Sequence, residues 1–320
     1  MRFSSIFKII ILNIFISKMA HAAVCEERYP PDSEECQYVQ ELEQKAEQGD
    51  ESAQFSLGSW YAEGRYVKPD YKLAIKWLEK AGKQGSDFSY FILGYHYNYG
   101  ENFPLSRQKA LEWYRRAAAQ GLAEAQDAIG VMFMQGEGVS QDYQQALAWY
   151  RKAARQGLPA AQTHLGIMSA FGRGVAQSDR QAIAWYRKAA KQDFAKAQYQ
   201  LGVAYSTGSG VPENSRNALK WYLKAAEQGF TPAQSALGEI YAHGRQGVPK
   251  DNKQAYIWYY MASIYTEKSK DDCSALIAER NRLKGTLTPD QLSETYAAFD
   301  LIRRKINQSK EAKKIARKKY

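Results

Sequence analysis

Along most of the chain, small and apolar residues return every three or four positions and are interrupted at regular intervals by glycine. In AEAQDAIGVMFMQGEGVSQDYQQALAWYRKAARQG, residues 123–157, the residues Ala125, Ile129, Gly130 and Phe133 mark one stripe, which predicts an amphipathic helix. Gly136 and Gly138 end that helix by supplying positive φ at a tight connection. A second helix is expected from about Asp142 to Gln156, with Ala146, Trp149, Tyr150 and Ala153 facing inward and Gly157 closing it. The stretch SDFSYFILGYHYNYG, Ser86 to Gly100, is ambiguous by itself. Tyr95, Tyr97 and Tyr99 alternate as in a half-buried strand, whereas Phe88, Phe91, Tyr95 and Tyr99 fall at helical spacing.

Periodicity on a longer scale removes the ambiguity. Tryptophan recurs at Trp77, Trp113, Trp149, Trp185, Trp221 and Trp258, in steps of 36 with a last step of 37. A glycine preceded by Leu or Ile recurs every 36 residues from Gly58 to Gly238, and Gln-Gly recurs at Gly49, Gly85, Gly121, Gly157 and Gly229, with Asp193 in the missing slot. Several markers in one register predict stacked units, each a helix pair that buries its apolar face only against its neighbours. Ser86–Gly100 then becomes the first helix of the second unit, with Tyr97 in the inward slot held elsewhere by Tyr61, Phe133, Tyr205 and Tyr241. The glycine and alanine slots allow close helix approach, and the tryptophans are expected to fill the gaps between successive pairs.

Composition adds an address. Arg2 and Lys8, an apolar run from Ile9 to Ile16 and the small-residue site around Ala22 have the form of an export signal over residues 1–22. The run is shorter than the roughly 20 apolar residues of a spanning helix. A lipid-modified start at Cys25 is the alternative. Export implies the periplasm or beyond, where disulfides persist. A Cys25–Cys36 bridge is expected, with Cys273 left over; three free thiols is the alternative. The formal charge of +10 is concentrated at one end: residues 303–320 hold nine Lys or Arg against Glu311 alone. The body of the chain is close to neutral, which argues against nucleic-acid binding and leaves a basic tail that either is solvated or touches anionic envelope material.

The pattern AQ...LG..Y..G.GV..D...A..WY.KAA.QG resembles the Sel-1-like repeat, a relative of the tetratricopeptide repeat, in six copies over residues 50–266. Residues 23–49 resemble an N-terminal capping segment and residues 267–302 resemble C-terminal capping helices, with Thr288 as an N-cap and Pro289 at the first helical position. The resemblance implies an all-α fold, a right-handed α/α superhelical solenoid of helix-turn-helix units. Two departures stand out. Tyr66 and Asn102 replace the second loop glycine of the first and second units, and because tyrosine resists left-handed geometry the loop at 64–68 is expected to take another shape. The sixth unit carries one extra residue in GRQGV.

Searching for chemistry yields little. His96, His164 and His243 lie in different units without a second ligand at metal spacing, and neither a nucleophile elbow nor a phosphate loop is present. A non-enzyme with no cofactor and no metal is expected, a hydrolase of cell-wall or β-lactam substrates being the distant alternative. The resemblance implies a monomeric protein whose first helices line a concave surface that binds a protein partner. Members act as envelope adaptors, host-contact factors or periplasmic immunity proteins that neutralise phospholipase effectors of type VI secretion. By the same resemblance the surface would include Phe91, Tyr95, Asn98 and Tyr99 in the second unit and Asp127, Val131 and Met134 in the third. Thr163, His164 and Phe171 would follow in the fourth, and Tyr199 and Gln200 in the fifth.

Overall fold

The computed structural model describes residues 29–30, 32–245, 247–266 and 274–317. The expected export signal, Cys25 and Cys273 lie outside the described residues. Among those described, the chain forms fifteen helices and no strand. A capping helix, α1 (Glu34–Glu47), precedes six helix pairs: α2 (Glu51–Glu63) with α3 (Tyr71–Lys83), α4 (Asp87–Tyr99) with α5 (Arg107–Ala119), and α6 (Ala123–Gln135) with α7 (Tyr143–Arg155). Then come α8 (Pro159–Phe171) with α9 (Asp179–Ala190), α10 (Ala195–Thr207) with α11 (Ser215–Ala226), and α12 (Thr231–His243) with α13 (Asn252–Thr266). Two closing helices follow, α14 (Ser274–Lys284) and α15 (Pro289–Arg317). The helices group into two compact units, one ending at Gln156 and the other starting at Gly157.

The same local signals set each pair. The first helix stops at a left-handed glycine, Gly64, Gly100, Gly136, Gly172 or Gly208, whose N–H returns to a carbonyl four residues back. The second helix starts at an Asp, Ser or Asn whose side chain accepts first-turn amide hydrogens: Asp70, Ser106, Asp142, Ser178 and Asn214. At α15, Thr288 caps the Gln291 amide while the Gln291 side chain accepts from the Thr288 amide, a reciprocal capping box.

Within a pair, the glycine of the first helix receives a side chain of the second, Leu78 against Gly58 in the first pair and a tyrosine ring in the other five. A Cβ placed on Gly94, Gly130 or Gly202 would lie 2.5–2.6 Å from a ring carbon of Tyr114, Tyr150 or Tyr222. Trp77, Trp113 and Trp258 are buried, as expected of rings that fill gaps between pairs, but the expectation needs correction at Trp149, Trp185 and Trp221, which are only partly buried; there the tyrosine that follows, as at Tyr150, is the deeply buried residue. Five of the tryptophans also lie under a cation three residues on: Lys80 over Trp77, Arg116 over Trp113, Lys152 over Trp149, Lys188 over Trp185 and Lys224 over Trp221, at 3.9–5.0 Å. This i,i+3 spacing brings ammonium and ring together on one helix face.

Within each pair, glutamines tie the second helix to the first and to the loop just before it. In the compact unit ending at Gln156, Gln84 Nε2 donates to the Gly49 carbonyl at 3.1 Å and to Gln54 Oε1 at 2.8 Å, and Gln156 Nε2 donates to the Gly121 carbonyl and to Gln126 Oε1 at 2.8 and 3.0 Å. In the other, Gln192 does the same to the Gly157 carbonyl and Gln162 Oε1, while Gln228 donates to the Asp193 carboxylate and to Gln198 Oε1. Tyr90 stands in the slot of Gln54 and Gln126; there Gln120 donates to the Gly82 carbonyl, and Tyr90 lies beside Gly82, where a Cβ would collide with its ring. The Gln of Gln-Gly thus ties the end of a second helix to the first helix of its own pair and to the loop just before that pair, a role the sequence pattern did not disclose.

The loop at Tyr66 keeps the family shape, contrary to expectation. Tyr66 has φ 63°, close to the 71–73° of Gly138, Gly174 and Gly210. The ring that glycine lacks lies against Trp60 at 4.6 Å, with the Arg65 guanidinium 5.3 Å from it, and this packing offsets strain of about 1 kcal/mol. Asn102 at φ 58° donates to the Ala62 carbonyl, and Asp193 at φ 59° accepts from Gln198 Nε2 at 2.8 Å. The extra residue of the sixth unit belongs to a small turn in which Arg245 and Val248 exchange backbone hydrogen bonds. Cys36 is buried and disulfide-bonded. The boundary drawn at residue 302 falls within α15, and Ile306, inside the basic segment, is fully buried.

Candidate functional site

Helix α4 presents its rings to two destinations. Tyr90, Leu93 and Tyr97 point into the core; Phe88, Tyr95 and Tyr99 are exposed, Tyr99 at 60% and Tyr97 at only 4%. The strand-like alternation of Tyr95, Tyr97 and Tyr99 is therefore a helical segregation, because Tyr97 lies two residues, about 200° of helix rotation, from each of the other two, which themselves lie within about 40° of one another. The rings form a patch of two groups on this helix: Phe88 with Phe91 at 5.4 Å and Phe91 with the buried Tyr114 at 5.5 Å, and Tyr95 with Tyr99 at 4.6 Å. Exposed Leu105 packs against Gly100 just beyond the helix end. Phe88 belongs to this patch although the register carried over from the repeat omitted it.

The patch is electron-rich. Partial burial, with the Glu101 carboxylate and the Tyr99 phenol nearby, pushes the Tyr95 phenol above its usual range. Burial, with the Tyr99 and Tyr95 phenols nearby, does the same to Tyr114 beneath. Asn98, also on α4, has a buried Oδ1 that accepts no hydrogen bond, an acceptor left over in a row of acceptors.

The remaining expected surface residues divide by burial. In α6, Asp127, Val131 and Met134 are half-buried, and the Asp127 carboxylate helps burial to raise the Tyr150 phenol. Beyond Gly157, His164 is half-buried and Phe171 is 67% exposed with the Arg173 guanidinium 5.3 Å from its ring. Tyr199 packs against Tyr222 and Phe230 at 5.7 and 5.4 Å, and Gln200 beside it is half-buried. Thr163 is fully buried, its hydroxyl donating to the Pro159 carbonyl, so it leaves the expected surface: a short side chain bonded back to its own helix cannot reach outward.

His96 is buried, stacked on Phe103 at 5.0 Å with Nδ1 3.2 Å from the Glu101 carbonyl, and His243 is exposed. Among the described residues no three His, Cys, Asp or Glu side chains gather as metal ligands, and no helix is long and apolar enough to cross a membrane.

Comparison with known proteins fits this architecture. The Sel1 repeat model matches six times, at residues 51–86, 88–122, 123–158, 159–194, 195–230 and 231–263. A protective antigen present in uropathogenic Escherichia coli strains, displaying an SLR fold, is 30% identical over 87% of this chain, with TM-score 0.61; the chain spans 57% of that antigen. A Sel1 repeat protein from Oxalobacter formigenes is 36% identical over 68% of this chain and 89% of its own, with TM-score 0.63. The immunity protein PA5088 from Pseudomonas aeruginosa is 20% identical over 69% and 83%, with TM-score 0.49. No curated protein sequence matches. With six matched repeats, five of them interlocking a glycine with a tyrosine ring and the first a glycine with Leu78, the chain belongs to the Sel1 repeat family.

Proposed function

We propose that this chain is an exported, non-catalytic binding protein that holds a protein partner on its first-helix surface, with the outer rings of α4 as the anchor. One observation carries the reading. Phe88, Tyr95 and Tyr99 are exposed, and the positions 36 residues away hold Ser52 and Glu124, Ser59 and Val131, and Glu63 and Gln135. Packing that recurs in every unit does not call for these rings. Large rings clustered on an outward face are the usual anchors of a protein interface.

An envelope or host-contact role is supported by the likeness to a protective antigen, a molecule that meets a host. The narrower reading as an immunity protein against a secreted phospholipase rests on the export signal and the family resemblance. One experiment tests the core proposal and sorts the roles. The full mature chain and its Tyr95→Ala/Tyr99→Ala variant serve as baits for envelope and secreted proteins. A partner kept by the first and lost by the second supports the α4 anchor; equal retention by both overturns it. If the partner is a phospholipase whose activity falls on mixing, the role is immunity.

The basic end of α15 is a second contact for anionic envelope material. Because Ile306 anchors this segment in the core, deletion would perturb the fold; replacing exposed Arg303 and Arg304 by Gln and following vesicle binding isolates the charge. Unchanged binding to anionic vesicles would remove this contact.

A further inference from the structure

The unit ending at Gln156 separates its charges by helix. Its first helices α2, α4 and α6 carry five carboxylates and no Lys or Arg. Its second helices α3, α5 and α7 carry eleven Lys or Arg and only Glu79 and Glu112 as acids. The aromatic patch of α4 lies on the acidic side of this division. Glu63 of α2 holds the slot of Tyr99 one unit earlier, Asp127 of α6 holds the slot of Phe91 one unit later, and exposed Glu101 follows the helix end.

Several other rings are covered by cations of this chain. Every tryptophan of α3, α5 and α7 lies under a cation of its own helix and exposed Phe171 has Arg173, while exposed Tyr38 and Tyr296 lie against Trp60 and Phe299. Among the described residues no Lys or Arg lies over Tyr95 or Tyr99, although the two rings are 4.6 Å apart and both exposed. A pair of open ring faces within an acidic frame suits a cation supplied from outside.

We propose that the α4 patch takes a cationic segment of the partner, a Lys or Arg side chain over the Tyr95–Tyr99 pair with an apolar neighbour against Phe88 and Phe91, framed by Glu63, Glu101 and Asp127. This rests on the assignment of α4 as the binding face. An arginine is favoured over lysine, since its planar guanidinium stacks on a ring while its edge reaches a carboxylate. Long-range attraction to the acidic first helices would speed encounter and make it salt-dependent.

The probes are two fluorescein-labelled synthetic peptides of alternating Leu and Arg, or Leu and Glu, titrated with the full mature chain and followed by anisotropy. The Arg peptide is expected to bind, to weaken as salt rises, and to lose about tenfold in affinity with Tyr95→Ala/Tyr99→Ala and with Glu63→Lys/Glu101→Lys. Circular dichroism confirms that both variants keep their helices. Equal binding of the Glu peptide, no binding of the Arg peptide, or Arg-peptide binding indifferent to both variants overturns the proposal. The two layers fail separately. A physiological partner that needs Tyr95 and Tyr99 but ignores Glu63→Lys/Glu101→Lys and salt leaves the face assigned and the cationic class wrong. A partner indifferent to Tyr95 and Tyr99 overturns the face itself.

Discussion

A β-carbon on Gly130 would stand 2.6 Å from the ring of Tyr150, the fully buried tyrosine of the partner helix. Exposed helix glycines gain about 1 kcal/mol on replacement by alanine; this one has no room for the methyl. Gly130→Ala is expected to destabilise the protein by about 1–3 kcal/mol through overpacking. A urea titration monitored by circular dichroism checks the sign, and a stabilised variant would show that the helix pair can spread.

The glutamine bonds that join the helices of a pair give a second prediction. Gln156→Ala removes donors from the Gly121 carbonyl and from Oε1 of the buried Gln126, which is expected to destabilise by about 1–2 kcal/mol. In a double-mutant cycle with Gln126→Ala the two effects should be less than additive, because each variant removes the same bond. Full additivity would mean that the pair contributes nothing together.

Position on α4 separates two tyrosine substitutions. Tyr97→Ala empties a core site and should lower stability by about 3 kcal/mol or more. Tyr95→Ala and Tyr99→Ala, on the exposed side, should leave the melting temperature nearly unchanged while weakening partner binding. A large stability loss from either outer residue would place it in the core.

Alkaline pH should unfold the protein. Burial first, then nearby Tyr199, pushes the Tyr222 phenol up to about 12, and burial with nearby Glu279 pushes Tyr259 up to about 12; Tyr150 and Tyr186 are raised by burial as well. The folded state holds these protons more tightly than the unfolded chain, whose phenols titrate near 10. The stabilisation is therefore fully present below about pH 10 and is lost as pH rises from there through about 12. The tyrosinate absorbance contributed by the buried rings should rise together with the loss of helical ellipticity over that interval. Ionisation of every tyrosine near pH 10 with the helices intact would contradict the buried environment.

Much of the fold was legible because it is periodic. Glycine before Tyr150, the caps at Asp142 and Thr288, and the pairing of helices all depend on nearby residue types that a repeat prints several times. What stayed hidden depends on three-dimensional neighbours. Gln156 looks like the polar end of a helix, and its partners are 30 and 35 residues away. Tyr66 breaks a backbone preference, and only the position of Trp60 shows how its strain is offset. The repeat register separated Tyr97 from Tyr95 and Tyr99 on α4, but it passed over Phe88 there and admitted the buried Thr163 on α8. A register carried over from relatives knows slot numbers, not the direction a short hydroxyl turns.

The glutamine bonds have a consequence for how such a chain changes length. Gln84, Gln156, Gln192 and Gln228 each reach back by the same 30 and 35 residues, and Gln120 alone among these donors reaches 38. A gene segment of 36 codons, gained or lost in frame, therefore brings or removes its own joints and leaves the flanking ones closed. Copy number can drift under recombination while a one-off surface, such as the rings of α4, is inherited intact by every longer or shorter descendant.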